Sequence, residues 1–232
     1  MKKIKIYADG ADYKEILKLN KSSLIKGFTT NPSLMRKSGV KSYANFAKKI
    51  LKKISKPISF EVFSDDLHSM SRQAKVINSW GKNVYVKIPI VNSKGKTTVS
   101  LIKQLVNSKI KLNITAVFTI SQVKQILKNI NKDSDLIISI FSGRIADTGR
   151  DPIPIIKQAL SLKKKFRKVK ILWASTREVL NIYQAEKINC EIITVPNNIL
   201  KKISLKNKNL HKYSIETSKD FFIDGKKSNF KI

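Results

Sequence analysis

Val84-Tyr85-Val86-Lys87-Ile88-Pro89-Ile90 carries every local sign of a buried strand. β-Branched and aromatic residues run without a break, and a proline closes them. Lys87 stands in the middle of it. An ammonium taken out of water without a partner is costly, so buried lysines are rare unless they are paired or do chemistry. One reading is a dry amine whose neutral form attacks a carbonyl. The other is a lysine paired to a buried carboxylate, or snorkelling from an edge strand. The strand alone does not separate them.

Working outward, segments 4–9, 24–29 and 58–63 read as strands before this one, and 111–118, 136–141, 170–175 and 190–196 as strands after it. Helical periodicity fills the intervals. Helices are expected from Gly10 to about Leu19, from Pro32 to about Lys53, and from the Ser64-Asp65-Asp66 cap to about Trp80. Others follow at about Lys96–Asn107, Ser121–Asn129, Pro152–Phe166 and Thr176–Lys187, with a polar loop at Ser142-Gly143-Arg144. A short helix near 198–203 and a last one over about 214–229 end the chain. Eight alternating units imply parallel strands with helical crossovers. The expected fold class is α/β: a single (β/α)8 TIM barrel spanning 1–232, with an additional C-terminal helix. The main rival, a doubly wound open sheet, lacks its Gly-rich phosphate turn after the first strand.

Composition narrows the class. The 232 residues are 41% hydrophobic, with no apolar run of about 18 residues, so a membrane span is not expected. The apolar start, Ile4 to Ala8, is broken by Lys5 and too short for a signal peptide. The single cysteine, Cys190, cannot form an internal disulfide, and no cysteine–histidine cluster suggests a metal. A cytoplasmic protein is expected. Forty-seven basic against 16 acidic residues give a net charge of +31. A field of that sign attracts phosphate. Yet 41 of the basic residues are Lys and only 6 are Arg, scattered along helical faces, with no zinc finger, RNP-type motif or basic region. Compositional bias is the favoured reading, and no specific nucleic-acid partner is expected.

Asp9, Glu61, Lys87, Asn113, Thr115, Ser139 and Ser175 all fall within or at the carboxyl ends of predicted strands. Asn113 and Thr115 are two apart and share a face, as do Tyr85 with Lys87 and Trp173 with Ser175. The carboxyl ends of barrel strands surround the active site. An amine, two carboxylates, an amide and three hydroxyls gathered there suit a reaction chamber. For Ser139 and Ser175 taken singly, a bond to neighbouring backbone is the plainer role.

The order of Asp9, Thr29-Thr30-Asn31-Pro32-Ser33, Glu61, Val86-Lys87-Ile88-Pro89, Asn113-Ile114-Thr115, Ser139-Ile140-Phe141-Ser142-Gly143-Arg144 and Ser175-Thr176-Arg177 resembles the transaldolase family. The length is similar to its small-subunit branch, which also holds fructose-6-phosphate aldolases. The resemblance implies an enzyme without metal or cofactor, acting on phosphorylated sugars such as sedoheptulose 7-phosphate or fructose 6-phosphate. Lys87 matches its Schiff-base lysine, and Asp9 its acid–base aspartate. Glu61 and Thr115 match the pair that holds a catalytic water. Asn31, Asn113 and Ser139 match residues binding the dihydroxyacetone portion, and Arg144, Ser175 and Arg177 match the phosphate site. A planar guanidinium suits phosphate on physical grounds as well.

Three positions choose within the family. The aldolase members carry glutamine at the place of Glu61 and tyrosine at that of Phe141, and lack an asparagine at that of Asn113; this chain sides with the transaldolases at all three. A phenol can hydrogen-bond the catalytic water, whereas Phe141 cannot donate. Phe28, Gly10 to Asp12 and Thr176 depart from the family pattern, at positions expected around the mouth of the site. The resemblance also implies a homo-oligomer, with the last helix and its Phe221 and Phe222 packed on a neighbouring subunit. Its amphipathic pattern equally allows packing on its own barrel.

Overall fold

All eight predicted strands form, and they close on one another in chain order as a parallel barrel. A computed structural model describes residues 4–228. The strands are β1 (Lys5–Asp9), β2 (Ile25–Thr29), β3 (Ile58–Glu61), β4 (Val84–Pro89), β5 (Leu112–Val117), β6 (Leu136–Ile140), β7 (Val169–Trp173) and β8 (Ile192–Pro196). The helices are α1 (Tyr13–Asn20), α2 (Pro32–Lys37), α3 (Tyr43–Leu51), α4 (Leu67–Asn78), α5 (Val99–Asn107), α6 (Ile120–Lys128), α7 (Ser142–Ala146), α8 (Ile153–Leu162), α9 (Leu180–Lys187), α10 (Asn197–Leu200) and α11 (Leu210–Ser228). The fold is thus a (β/α)8 TIM barrel with a C-terminal helix present.

Several helix boundaries differ from expectation, each for a local reason. The single helix expected from Pro32 to Lys53 is two, because Gly39 takes a left-handed φ of +68° and turns the chain. The helix expected from Lys96 begins at Val99, since Val91 and Thr97 first pair antiparallel across a tight hairpin. The one expected from Thr176 begins at Leu180; the Asn181 side chain instead accepts from the backbone N–H groups of Arg177 and Glu178. The helix to Phe166 stops at Leu162 and tightens into a 3-10 turn, where Lys163 bonds the Val169 carbonyl at 2.7 Å. Ser142 to Arg144 is not a loop but the start of α7. Asn197–Leu200 continues into a 3-10 turn over Lys201–Leu205.

The chain divides after Leu200 into two compact units. The second holds α11, which starts four residues before the predicted position because Asn209 accepts from the Lys212 N–H and caps it. Residue 229, the predicted end, lies outside the described residues. Leu210, Phe221 and Phe222 on this helix are exposed. No helix among the described residues is long and apolar enough to cross a membrane.

Strand alternation sorts the first unit's core. Tyr7, Ile137, Leu172, Ala174 and Ile192 form a cluster inside the barrel, with Tyr85 and Phe141 against it. Residues between them in register, such as Ile88, Ile114, Ile138 and Ile171, are fully buried on the opposite face, beneath the helices. Tyr7 lies opposite Gly27 in the β1–β2 register. A Cβ at residue 27 would meet the Tyr7 ring at 2.6 Å, so only glycine leaves room for the phenol. Tyr85 is anchored by donating to Asp135 Oδ1 at 2.7 Å. Gly27→Ala should therefore destabilise the protein by about 1–3 kcal/mol through overpacking, measured by denaturant unfolding. An unchanged midpoint would show that the ring yields without cost.

Candidate active site

All eleven predicted site residues line one pocket of about 570 Å³ at the carboxyl ends of the strands. Parallel pairing sets their order around the wall. Glu61 lies beside Lys87, Lys87 beside Asn113, and Pro89 beside Thr115. The inward positions of successive strands thereby bring groups distant in sequence within hydrogen-bond reach.

Lys87 points inward and is 8% exposed. Its Nζ lies 3.2 Å from Glu61 Oε2 and donates to the Thr30 carbonyl at 3.1 Å. Of the two readings that the strand left open, the structure shows the lysine paired to a carboxylate. The carboxylate that satisfies the lysine is itself one of the predicted site groups. Glu61 is itself gripped from α3. The Tyr43 hydroxyl accepts from the Glu61 N–H at 2.7 Å and donates to the Glu61 carbonyl at 3.2 Å. Tyr43 is wedged edge-on against Phe60 and Trp80. Burial raises this phenol's pKa well above its usual range, so it stays protonated.

Asp9 ends β1 and accepts from the Thr29 hydroxyl at 2.8 Å. Its pKa is raised, chiefly by burial and further by the charge of Glu61; Lys87 and the Thr29 hydrogen bond pull the other way. Asn113 is fully buried, donates to Ser59 Oγ at 3.0 Å and accepts from Ser139 Oγ at 2.6 Å. Asn31 caps α2 by accepting from the Leu34 N–H at 2.9 Å, which leaves its amide N–H groups for a ligand. The Thr115 hydroxyl is buried and has no hydrogen-bond partner among the described residues. An orphan hydroxyl beside a carboxylate and an amine suits a water or a substrate oxygen.

Cations gather elsewhere on the wall. Arg144 stacks 5.6 Å from the Phe141 ring. Arg177 is held by Asp147, with Nε at 3.2 Å from Oδ1 and Nη2 bonded to Oδ2; both partners are half-exposed. Lys37, from the end of α2, also reaches the pocket. Gly143 makes the close approach of α7 to the turn after β7 possible. A Cβ there would stand 1.6 Å from the Ser175 carbonyl oxygen. Spacing predicts that Ser175 shares a face with Trp173, and it does not: Ser175 lines the pocket and Trp173 is not among the residues that do. Ser175 enters the pocket because its φ of +63° turns the chain after β7.

The arrangement offers an amine for a carbonyl, carboxylates for proton transfer and guanidinium groups for an anion. The family model for transaldolase/fructose-6-phosphate aldolase matches residues 6–230. The chain belongs to this family. It is 34% identical over 203 residues to a probable transaldolase of Nitrosopumilus maritimus, covering 86% of this chain and 87% of that protein. A probable transaldolase of Thermoplasma volcanium is 33% identical over 201 residues, covering 85% and 86%. One from Thermoanaerobacter sp. (strain X514) is 32% identical over 198 residues, covering 85% and 88%.

Positions that depart from the transaldolase pattern divide on inspection. Phe28 is not at the mouth of the pocket. It alternates with inward Gly27 and Thr29, so it is buried behind the strand. Asp12 caps α1 by accepting from the Glu15 N–H at 2.7 Å, and Ala11 is buried; neither they nor Gly10 line the pocket. Thr176 does line it, and donates to the Thr194 carbonyl at 2.7 Å. Sequence reading gave no role to Thr29 or Gly143, which lie in the quoted motifs, and passed over Ser59, Tyr43, Thr194 and Lys37. Alternation from Glu61 would have found the inward Ser59; nothing in the sequence marks Tyr43. Among the described residues, no group of three or more His, Cys, Asp or Glu could hold a metal.

A raised Asp9 pKa carries a stability consequence. Between its unfolded and folded values the native state holds the extra proton, so stability falls as pH rises through that window. Asp9→Asn lacks this loss. Its unfolding free energy relative to wild type should rise as pH goes from acid to neutral. Parallel pH profiles in chemical denaturation would contradict the raised value.

Proposed function

We propose that this protein is a transaldolase that moves a dihydroxyacetone unit between phosphorylated sugars through a Schiff base on Lys87. The observation that carries the reading is the buried Lys87–Glu61 contact in a pocket that also holds Asp9 and the unpartnered Thr115 hydroxyl. Lys87 Nζ, having passed a proton to Glu61 or to a water held with Thr115, attacks the C2 carbonyl of a ketose phosphate. Loss of water from the carbinolamine leaves an iminium. Asp9 then takes the C4 hydroxyl proton, and the C3–C4 bonding pair moves into the iminium as an enamine. An aldose phosphate departs, and the same steps in reverse join the bound unit to another aldose phosphate. Asn31, Asn113 and Ser139 hold the dihydroxyacetone portion. Arg144, Ser175 and Arg177 hold the phosphate by charge-assisted hydrogen bonds, Arg177 through the donors that Asp147 leaves free.

Phe141 lines the pocket and carries no hydroxyl to bring a protonating water to the enamine. The enamine therefore waits for an aldehyde, and transfer wins over release of free dihydroxyacetone. The exposed Leu210, Phe221 and Phe222 of α11 support assembly as a homo-oligomer. A free, buried Cys190 accords with a reducing, cytoplasmic setting.

Borohydride reduction in the presence of fructose 6-phosphate should add a dihydroxyacetone-derived mass to the peptide containing Lys87. Lys87→Ala should form no adduct and lose activity by about 10⁴-fold or more. An adduct on another lysine would sink the assignment. With the wild type, product appears only when an acceptor aldehyde phosphate is supplied. Phe141→Tyr should raise the share of turnover released as free dihydroxyacetone, followed by product chromatography; an active variant with no such rise would contradict the role given to residue 141.

A further inference from the structure

Two hydroxyls behind Asp9 have no part in the steps above. Thr29 and Thr194 are buried at 3% and 6% exposure, and both face inward, on the strands flanking β1. Their hydroxyls are hydrogen-bonded to one another across the barrel interior, and Thr29 Oγ1 also donates to Asp9 Oδ1 at 2.8 Å. A hydroxyl has one proton. Thr29 commits its proton to Asp9, so Thr194 must donate to Thr29. The direction of the whole chain is thereby set: Thr194 to Thr29 to Asp9 Oδ1. Asp9 Oδ2 accepts no hydrogen bond from the described residues and remains the oxygen open to a proton.

We propose that Thr29 and Thr194 are positioning residues for proton transfer, holding Asp9 by Oδ1 so that Oδ2 meets the C4 hydroxyl of the sugar. The inference rests on the acid–base role given to Asp9 above. Without Thr194, the Thr29 hydroxyl is free to rotate off the carboxylate. Without Thr29, Asp9 loses its only side-chain donor among the described residues and keeps the other influences that face it: Lys87 from β4 and Glu61 from β3. A hydrogen bond to the ionised form favours that form, so its removal makes Asp9 harder to ionise. Cleavage needs the ionised carboxylate. The acid limb of the kcat profile must then move to higher pH.

The test separates Schiff-base formation from bond cleavage. Dihydroxyacetone with borohydride labels Lys87 without any C3–C4 cleavage, so it reports the amine alone. Thr29→Val should label Lys87 as fast as wild type, while kcat for fructose 6-phosphate falls about tenfold or more and its acid limb shifts up by roughly one pH unit. Thr194→Val should move both in the same direction by less. Thr29→Ser and Thr194→Ser, which restore the hydroxyl, should recover the wild-type limb. An acid limb that stays in place in Thr29→Val overturns the inference, as does a labelling rate that falls in step with kcat, which is the mark of a merely structural role. A limb unmoved in Thr194→Val overturns the assignment of that residue. A wild type that labels no lysine overturns the Schiff-base reading itself and this inference with it, so the two failures are told apart.

Discussion

The contact between the Lys87 ammonium and the Glu61 carboxylate is the constraint on which the site depends. A charged group buried alone would be expelled or would destabilise the barrel; two opposite charges in register on neighbouring strands can stay. The contact needs β3 and β4 to be adjacent and parallel, with residues 61 and 87 both on the inner face. Tyr43 then fixes the Glu61 backbone from outside the sheet, through both its N–H and its carbonyl. The helical layer thereby takes part in placing a pocket carboxylate that it does not itself carry.

Inside the barrel, chemistry and packing are divided along the strand direction. Tyr7, Ile137, Leu172 and Ile192 fill the interior with apolar contact, with Gly27 left small to admit the Tyr7 ring. Farther toward the carboxyl ends come Asp9, Glu61, Lys87 and the Asn113–Ser139 pair. Burial raises the Asp9 carboxyl's pKa against the opposing pull of Lys87 and of the Thr29 hydrogen bond. The raised pKa costs stability as pH rises through the window between the unfolded and folded values.

Backbone irregularities do further positioning. Ala116 has a φ of +54° at the register break of β5 between Ile114 and Val117, a bulge beside the orphan hydroxyl of Thr115. Ser175 turns left-handed beyond β7, and its carbonyl presses on Gly143 at a distance that no side chain could share. Together with the Arg177–Asp147 pair, this joins the loops after β6 and β7 into one wall carrying the cationic groups. Non-glycine residues with positive φ are strained, and two of the five among the described residues, Ala116 and Ser175, line the pocket.

The sequence by itself determined the alternation of eight strands with helices, hence the barrel, because the period of apolar residues is a local property that each segment carries alone. It also marked the polar residues at strand ends, since a lysine or carboxylate within an apolar strand is anomalous without knowledge of any neighbour. Helix starts at Val99 and Leu180 and the break at Gly39 were not legible. They depend on which side chain captures which backbone N–H once the chain has turned. Only the tertiary structure decided that Lys87 is paired rather than bare, that Tyr43 braces Glu61, and that Thr29 and Thr194 stand behind Asp9. These contacts join residues 18 to 165 positions apart, and a hydrogen bond has a direction and a length that only closure of the barrel supplies.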